Sequence, residues 1–263
     1  LTPEGSETSY TTTRGLTAGF WLLTTSSRYC PRCLNDSGGR WQLSWRSRWA
    51  FACTRHGCML LDVCPHCGGK PRRRRITRRR PRASSCDCPG EHYGEICGFD
   101  FQEAAAPALD PDSPVLHAQS RIDELLEAER AQSLSSWAPM PLLHDVAQLV
   151  RLTISYGERT KIESLGSAYN SAVQSIRTTD DMSRCSMRNA VPSSAFAAAA
   201  ALALGVLDTL DIGLAAALLD GLLPVPSPYR HLTNLHLEMN AWARKSWLIE
   251  MLWDRVKATQ TPT

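Results

Sequence analysis

Three short chelating corners, Cys30-Pro-Arg-Cys33, Cys53-Thr-Arg-His56 and Cys64-Pro-His-Cys67, lie within 38 residues of one another. Two ligands separated by two residues can turn back onto one ion, and a tetrahedral zinc site takes two such corners. Three corners therefore imply one complete site and half of another. The complete one is Cys30, Cys33, Cys53 and His56, a Cys3His set closed over a loop of 19 residues. The second pairs Cys64 and Cys67 with Cys97 and with either Cys86 or Cys88. Cys86 leaves a loop of ten residues before Cys97 and Cys88 leaves eight. Spacing does not choose between them, and Cys86 is preferred. Cys58 is expected beside the first site as a packed thiol, and Cys185 as a buried small apolar residue.

Other uses of these cysteines fit less well. Disulfide scaffolds serve small secreted domains that cannot bury a core, whereas this chain has 263 residues. Its first 30 residues carry Thr, Ser and Gly without a long apolar stretch, so a secretory leader is not expected. Four protein ligands per site leave no open position for water or substrate, which argues for structural zinc rather than a catalytic ion. A zinc deaminase needs His-x-Glu upstream of its Cys-x-x-Cys, and the single match, His236-Leu-Glu238, comes far downstream. Phosphate-binding glycine loops and a Gly-x-Ser-x-Gly elbow are missing from the sequence, and no carboxylate trio stands out. A non-enzymatic protein holding two structural zinc ions is the expectation.

Net charge is +3, but it is unevenly placed. Lys70, Arg72, Arg73, Arg74, Arg75, Arg78, Arg79, Arg80 and Arg82 put nine cations in one stretch without an acidic residue. Taking those nine charges from +3 leaves −6 on the rest of the chain. Like charges with nothing apolar to bury cannot form a core, so 70–82 reads as a solvated loop between the two halves of the second zinc site. Tethered at both ends to a metal-held frame, such a loop suits the backbone of DNA.

Around the cysteines, Trp41-x-Leu43-x-Trp45 alternates as a half-buried strand does, after a Gly38-Gly39 turn. Trp41, Trp45 and Trp49 are also spaced by four, as on a helix, but their apolar neighbours favour a strand. These tryptophans are assigned to packing against the metal frame. Leu1 is not an initiator Met, so 1–28 reads as a truncated N-terminal segment, with a short element at Phe20–Leu23. Residues 29–101 form the zinc-binding module and 102–114 a Pro/Ala/Asp linker. From 115 to 263 the pattern is helical, with Leu116, Ile122, Leu125 and Leu126 on one stripe of 115–130. Pro141 opens a second helix through Leu142, Leu143, Val146, Leu149 and Val150. Ser193 or Ser194 caps 196–207, Asp211 caps 212–223, and a last helix spans about 237–257. The alanine-rich run 195–207 is 13 residues long, too short to cross a bilayer, and reads as a buried core helix. His117, His144, His231 and His236 show no ligand pairing. The fold class is thus mixed: a small β-rich tandem zinc-ribbon module followed by an all-α domain, in a cytoplasmic protein without membrane contact.

Arg28-Tyr-Cys-Pro-Arg-Cys-Leu34, Gly39-Arg-Trp-Gln-Leu-Ser-Trp-Arg46, Ala52-Cys-Thr-Arg-His-Gly57 and Cys64-Pro-His-Cys-Gly68, in that order, resemble the core of the TniQ family. The likeness runs from about Phe20 to Phe101, and 114–126 is similar to the helix that usually follows. The chain departs from the family in a shortened N-terminal segment and an unusually basic loop. The resemblance implies a transposon accessory protein that selects target sites, binds DNA or a guide-RNA effector complex, and recruits the transposition AAA+ ATPase and transposase. It implies no strand-transfer chemistry. A zinc-ribbon DNA-binding transcription regulator is the alternative that the residues alone equally permit.

Overall fold

In a computed structural model of the chain, the residues described are 22–23, 26–72, 83–90, 95–132, 143, 145–147, 149–150, 153 and 193–208. Expectations for 1–21, for Cys185, for the helices at 212–223 and 237–257, and for His144, His231 and His236 fall outside them. Two compact units emerge: 1–121 with 184–197, and 122–183 with 198–263.

In the first unit, Cys30 leads into helix α1, Pro31–Asp36. Proline at the first helical position has no amide to satisfy, and the Cys30 thiol accepts the Cys33 N–H at 3.5 Å. The helix stops at Gly38 and Gly39, whose φ values of 62° and 87° are left-handed and suit residues without a Cβ. Strands β1, Ala52–Cys53, and β2, Cys58–Met59, pair antiparallel with Cys53 opposite Cys58. Gly57, at φ 56°, turns the hairpin between them.

The strand expected at Trp41–Trp45 is instead a 3-10 helix, Leu43–Arg46. On a strand Leu43 would share the inward face with both tryptophans, yet it is 88% exposed while Trp45 is buried. Folding back lets Trp41 and Trp45 meet edge to face at 5.7 Å, and both pack on one core. Tertiary packing of two large rings overrides the alternation. Among the described residues, a two-stranded sheet, short helices and isolated β-bridges carry the cysteines.

Helix α2, Pro114–Gln132, follows Ser113, whose hydroxyl accepts the Val115 N–H at 3.3 Å. Its buried positions Val115, Leu116, Ala118, Gln119 and Ile122 form a helical stripe. Gln119 is polar but not orphaned: its Oε1 accepts the N–H groups of Phe51 (2.8 Å) and Ala52 (3.0 Å) at the start of β1.

Helix α3, Ser193–Leu207, begins slightly before the expected 196. Its Ser193 N–H donates to Asp62 Oδ2 at 2.8 Å and its hydroxyl to the Leu60 carbonyl at 3.0 Å, so residues ahead of Cys64 cap this helix. Ala195 to Ala203 are buried throughout, because alanine lets neighbours approach from every side at no side-chain entropy cost. Fifteen residues span about 22 Å, and among the described residues no helix is long and apolar enough to cross a membrane. In the second unit, Leu143, Val146, Leu149 and Val150 are helical and buried, as their spacing predicts.

Candidate metal centre

The six corner ligands and two later cysteines gather into two groups of four: Cys30, Cys33, Cys53 and His56, and Cys64, Cys67, Cys86 and Cys97. In each group the ligand atoms lie within 4.8 Å of one another. Zn–S bonds of about 2.3 Å and Zn–N bonds of about 2.0–2.1 Å imply tetrahedral edges of about 3.8 Å between sulfurs and about 3.6 Å from sulfur to nitrogen. Cys33 and Cys53 Sγ are 3.6 Å apart, and His56 Nδ1 is 3.5, 3.2 and 3.5 Å from Cys30, Cys33 and Cys53 Sγ. In the second group Cys64 to Cys97 is 3.9 Å and Cys67 to Cys86 is 3.7 Å. Both sets could hold a metal ion, and their soft donors suit zinc.

Electrostatics point the same way. Burial pushes the Cys33 thiol up, with Cys30 and Cys53 adding to the shift, and burial likewise raises Cys86. Cys53 is held far below the ordinary thiol range by hydrogen bonds from Cys30 and Cys58. One anion in such a cluster keeps its neighbours neutral, since like charges this close repel. A divalent cation would let all the sulfurs ionise together.

Local backbone aims each corner. In the second group the Cys64 N–H donates to the Gly69 carbonyl at 2.8 Å and the Gly68 N–H to the Cys64 carbonyl at 2.8 Å. Cys86 and Cys97 come from facing segments joined by Cys86 N–H to the Phe99 carbonyl (2.8 Å) and Cys97 N–H to the Cys88 carbonyl (2.9 Å). Cys88 stands outside the four and donates to the Lys70 carbonyl at 3.7 Å. Its Sγ lies 2.3 Å from where a Cβ on Gly69 would be. Gly69→Ala is therefore expected to force Cys88 and the adjoining Cys67 apart, at the roughly 1–3 kcal/mol typical of overpacking. Its readout is faster release of the second site's metal ion to a chelator.

Two outer contacts had no signal in the sequence. His56 Nε2 meets Asp36 Oδ2 at 3.1 Å, and Arg55 holds the same carboxylate oxygen at 3.1 Å. A carboxylate on the far nitrogen fixes the ring and leaves Nδ1 to face the sulfurs. Asp36→Ala is expected to weaken metal binding at the first site about 10–100-fold, measured by chelator competition. At the second site His66 Nδ1 lies 3.5 Å from Cys97 Sγ and its ring stacks on Phe99. Such pairs join residues far apart in the chain, which spacing rules cannot find.

The two groups share one core. Tyr29 and Leu61 exchange backbone hydrogen bonds, both 2.9 Å, linking the residue before Cys30 to a residue three before Cys64. The Tyr29 ring packs on Phe101 at 4.7 Å and Trp41 at 5.7 Å, and its hydroxyl donates to the Val63 carbonyl at 3.2 Å. Buried Arg28 donates to the carbonyls of Arg48 (2.7 Å) and Ala50 (2.6 Å) and lies over the Phe196 ring. Burial draws its pKa down to about 10, partly countered by Asp62, so it stays charged at neutral pH.

Of the basic loop, Lys70 and Arg72 are described, while Arg73, Arg74, Arg75, Arg78, Arg79, Arg80 and Arg82 lie outside the described residues. Arg72, at φ 56°, places its guanidinium 4.6 Å from the Trp41 ring centroid and donates to the Ala83 carbonyl at 3.4 Å. Trp41 Nε1 donates to the same carbonyl at 2.9 Å. The two ends of the loop are thereby clasped together on Trp41.

Among the described residues, two four-ligand Cys/His clusters could each hold a metal ion. The TniQ family model matches residues 3–60, so that segment is similar to the TniQ family. The matched interval contains the whole first cluster and ends before Cys64, whereas the motifs led to an expected likeness over 20–101. No curated protein and no solved structure matches the chain.

Proposed function

We propose that this chain is a zinc-held accessory protein of transposition that helps select the target site and recruits the transposition AAA+ ATPase. The observation that carries this reading is the family match across the first cluster. In it, each cluster binds one zinc ion as a structural clamp, since four protein ligands leave no corner for substrate. The protein contributes no strand-transfer chemistry; its work is binding. DNA contact is assigned to the cationic stretch of 70–82, carried between the two halves of the second cluster, with neighbouring surfaces left for protein partners. Like charge along a tethered loop engages phosphates without reading bases, which suits a protein that must act at many targets.

The deciding experiment is co-purification of the full chain with a transposition AAA+ ATPase and transposase, with and without duplex DNA. Retention of the ATPase, strengthened by DNA, is the expected result. An ATPase that never associates, together with sequence-specific binding to a promoter, would instead establish a transcription regulator.

A further inference from the structure

The first cluster has more sulfur than it uses. Cys58 is 3% exposed, and its Sγ lies 3.8 Å from Cys30 Sγ, the separation expected along a tetrahedral zinc–thiolate edge. Strand register puts it there: Cys58 is the direct partner of Cys53 in the β1–β2 pair, and opposed residues project onto the same face. His56, by contrast, sits in the turn between these strands, with its ring 15% exposed and braced by Asp36 from outside. The ligand most open to disturbance is thus the imidazole, and a fourth thiol stands against the cluster at Cys30.

We propose that Cys58 is a reserve ligand of the first site, able to take the fourth corner when His56 leaves it. In the resting site the Cys58 S–H donates toward the ligand sulfurs. In the exchange the metal–Nδ1 bond breaks, a metal–Sγ bond to Cys58 forms, and the thiol proton passes to solvent. The ion changes from three thiolates and one imidazole to four thiolates, without oxidation or reduction. The hairpin needs only to tighten, because Cys53 and Cys58 already face each other. Loss of the imidazole then leaves the clamp closed rather than opening it. The inference rests on the reading that this cluster holds a metal.

The test uses the full chain loaded with cobalt(II), whose absorption reports the donor set, and then with zinc under chelator competition. His56→Ala is expected to keep two ions per chain, to gain thiolate-to-cobalt charge-transfer absorbance, and to lose no more than about tenfold in affinity at the first site. His56→Ala with Cys58→Ala is expected to lose that extra absorbance and a further 100-fold or so in affinity, at least what losing even an outer-shell partner costs a metal site. Cys58→Ser alone should leave both ions and the cobalt spectrum as in the parent. Equal metal loss in His56→Ala and in the double variant would overturn the proposal. So would a lowered thiolate signal in Cys58→Ser, since that would make Cys58 a resting ligand. A parent chain that takes up no cobalt at Cys30, Cys33 and Cys53 would overturn the metal reading itself, a result distinct from either of these.

Discussion

Cys33→Ser is expected to strip the ion from the first site and to loosen the second as well. Structural zinc supplies on the order of 10 kcal/mol or more to the folding of small domains, which exceeds the stability of most of them. Cys33 Sγ is buried on α1 and touches both Cys53 and His56, so its loss takes a donor from the middle of the set. The effect should spread because Tyr29 and Leu61 tie the two sites by paired hydrogen bonds, and the ring of Tyr29 packs on Phe101 in the shared core. Elemental analysis is expected to fall from two zinc ions toward one, and the remaining ion should be released to a chelator more readily than from the parent. Two ions per folded variant chain would defeat the assignment of Cys33. A second ion held as tightly as before would show that the sites load independently.

Replacing Arg73, Arg74, Arg75, Arg78, Arg79, Arg80 and Arg82 with serine is expected to weaken duplex binding and flatten its salt dependence. Each phosphate neutralised contributes roughly −0.9 to the slope of log affinity against log salt, so four or five engaged arginines give a slope of about −4. Arg72 is kept because its stacking on Trp41 is worth roughly 0.5–1 kcal/mol and closes the base of the loop. Zinc content and thermal stability should therefore stay near the parent values. Anisotropy titrations against a duplex of arbitrary sequence over a range of salt will read the slope. If slope and affinity are unchanged, the loop is a charged spacer and DNA contact belongs to another segment or to a partner.

Much of the metal chemistry was legible before any fold was known. Ligand type and two-residue spacing specify a chelating corner locally, so Cys30, Cys33, Cys53 and His56 could be grouped from the chain alone. The choice at the second site could not be made that way. Cys86 and Cys88 differ by one strand repeat, and a shift of two residues along an extended segment keeps a side chain on the same face. What brings Cys86 to the other three is the bridge between Ser85 and Asp100 and the Cys86 N–H bond to the Phe99 carbonyl, and what occupies Cys88 is the carbonyl of Lys70. The Trp41–Trp45 segment misled for a related reason. Alternation reports which residues are apolar, not which one packing will expose, and Leu43 was the one exposed.

By itself, the sequence determined which Cys and His side chains are candidate donors, the place of the charge, and the helical character of α2 and α3, because each follows from neighbours a few residues apart. Only the tertiary structure decided that Asp36 braces His56, that Asp62 and Leu60 receive Ser193, and that Arg72 and Ala83 clasp the basic loop on Trp41. Those contacts join residues from 11 to 133 positions apart. Their energies are recovered only after the intervening chain has been ordered, so no local pattern announces them.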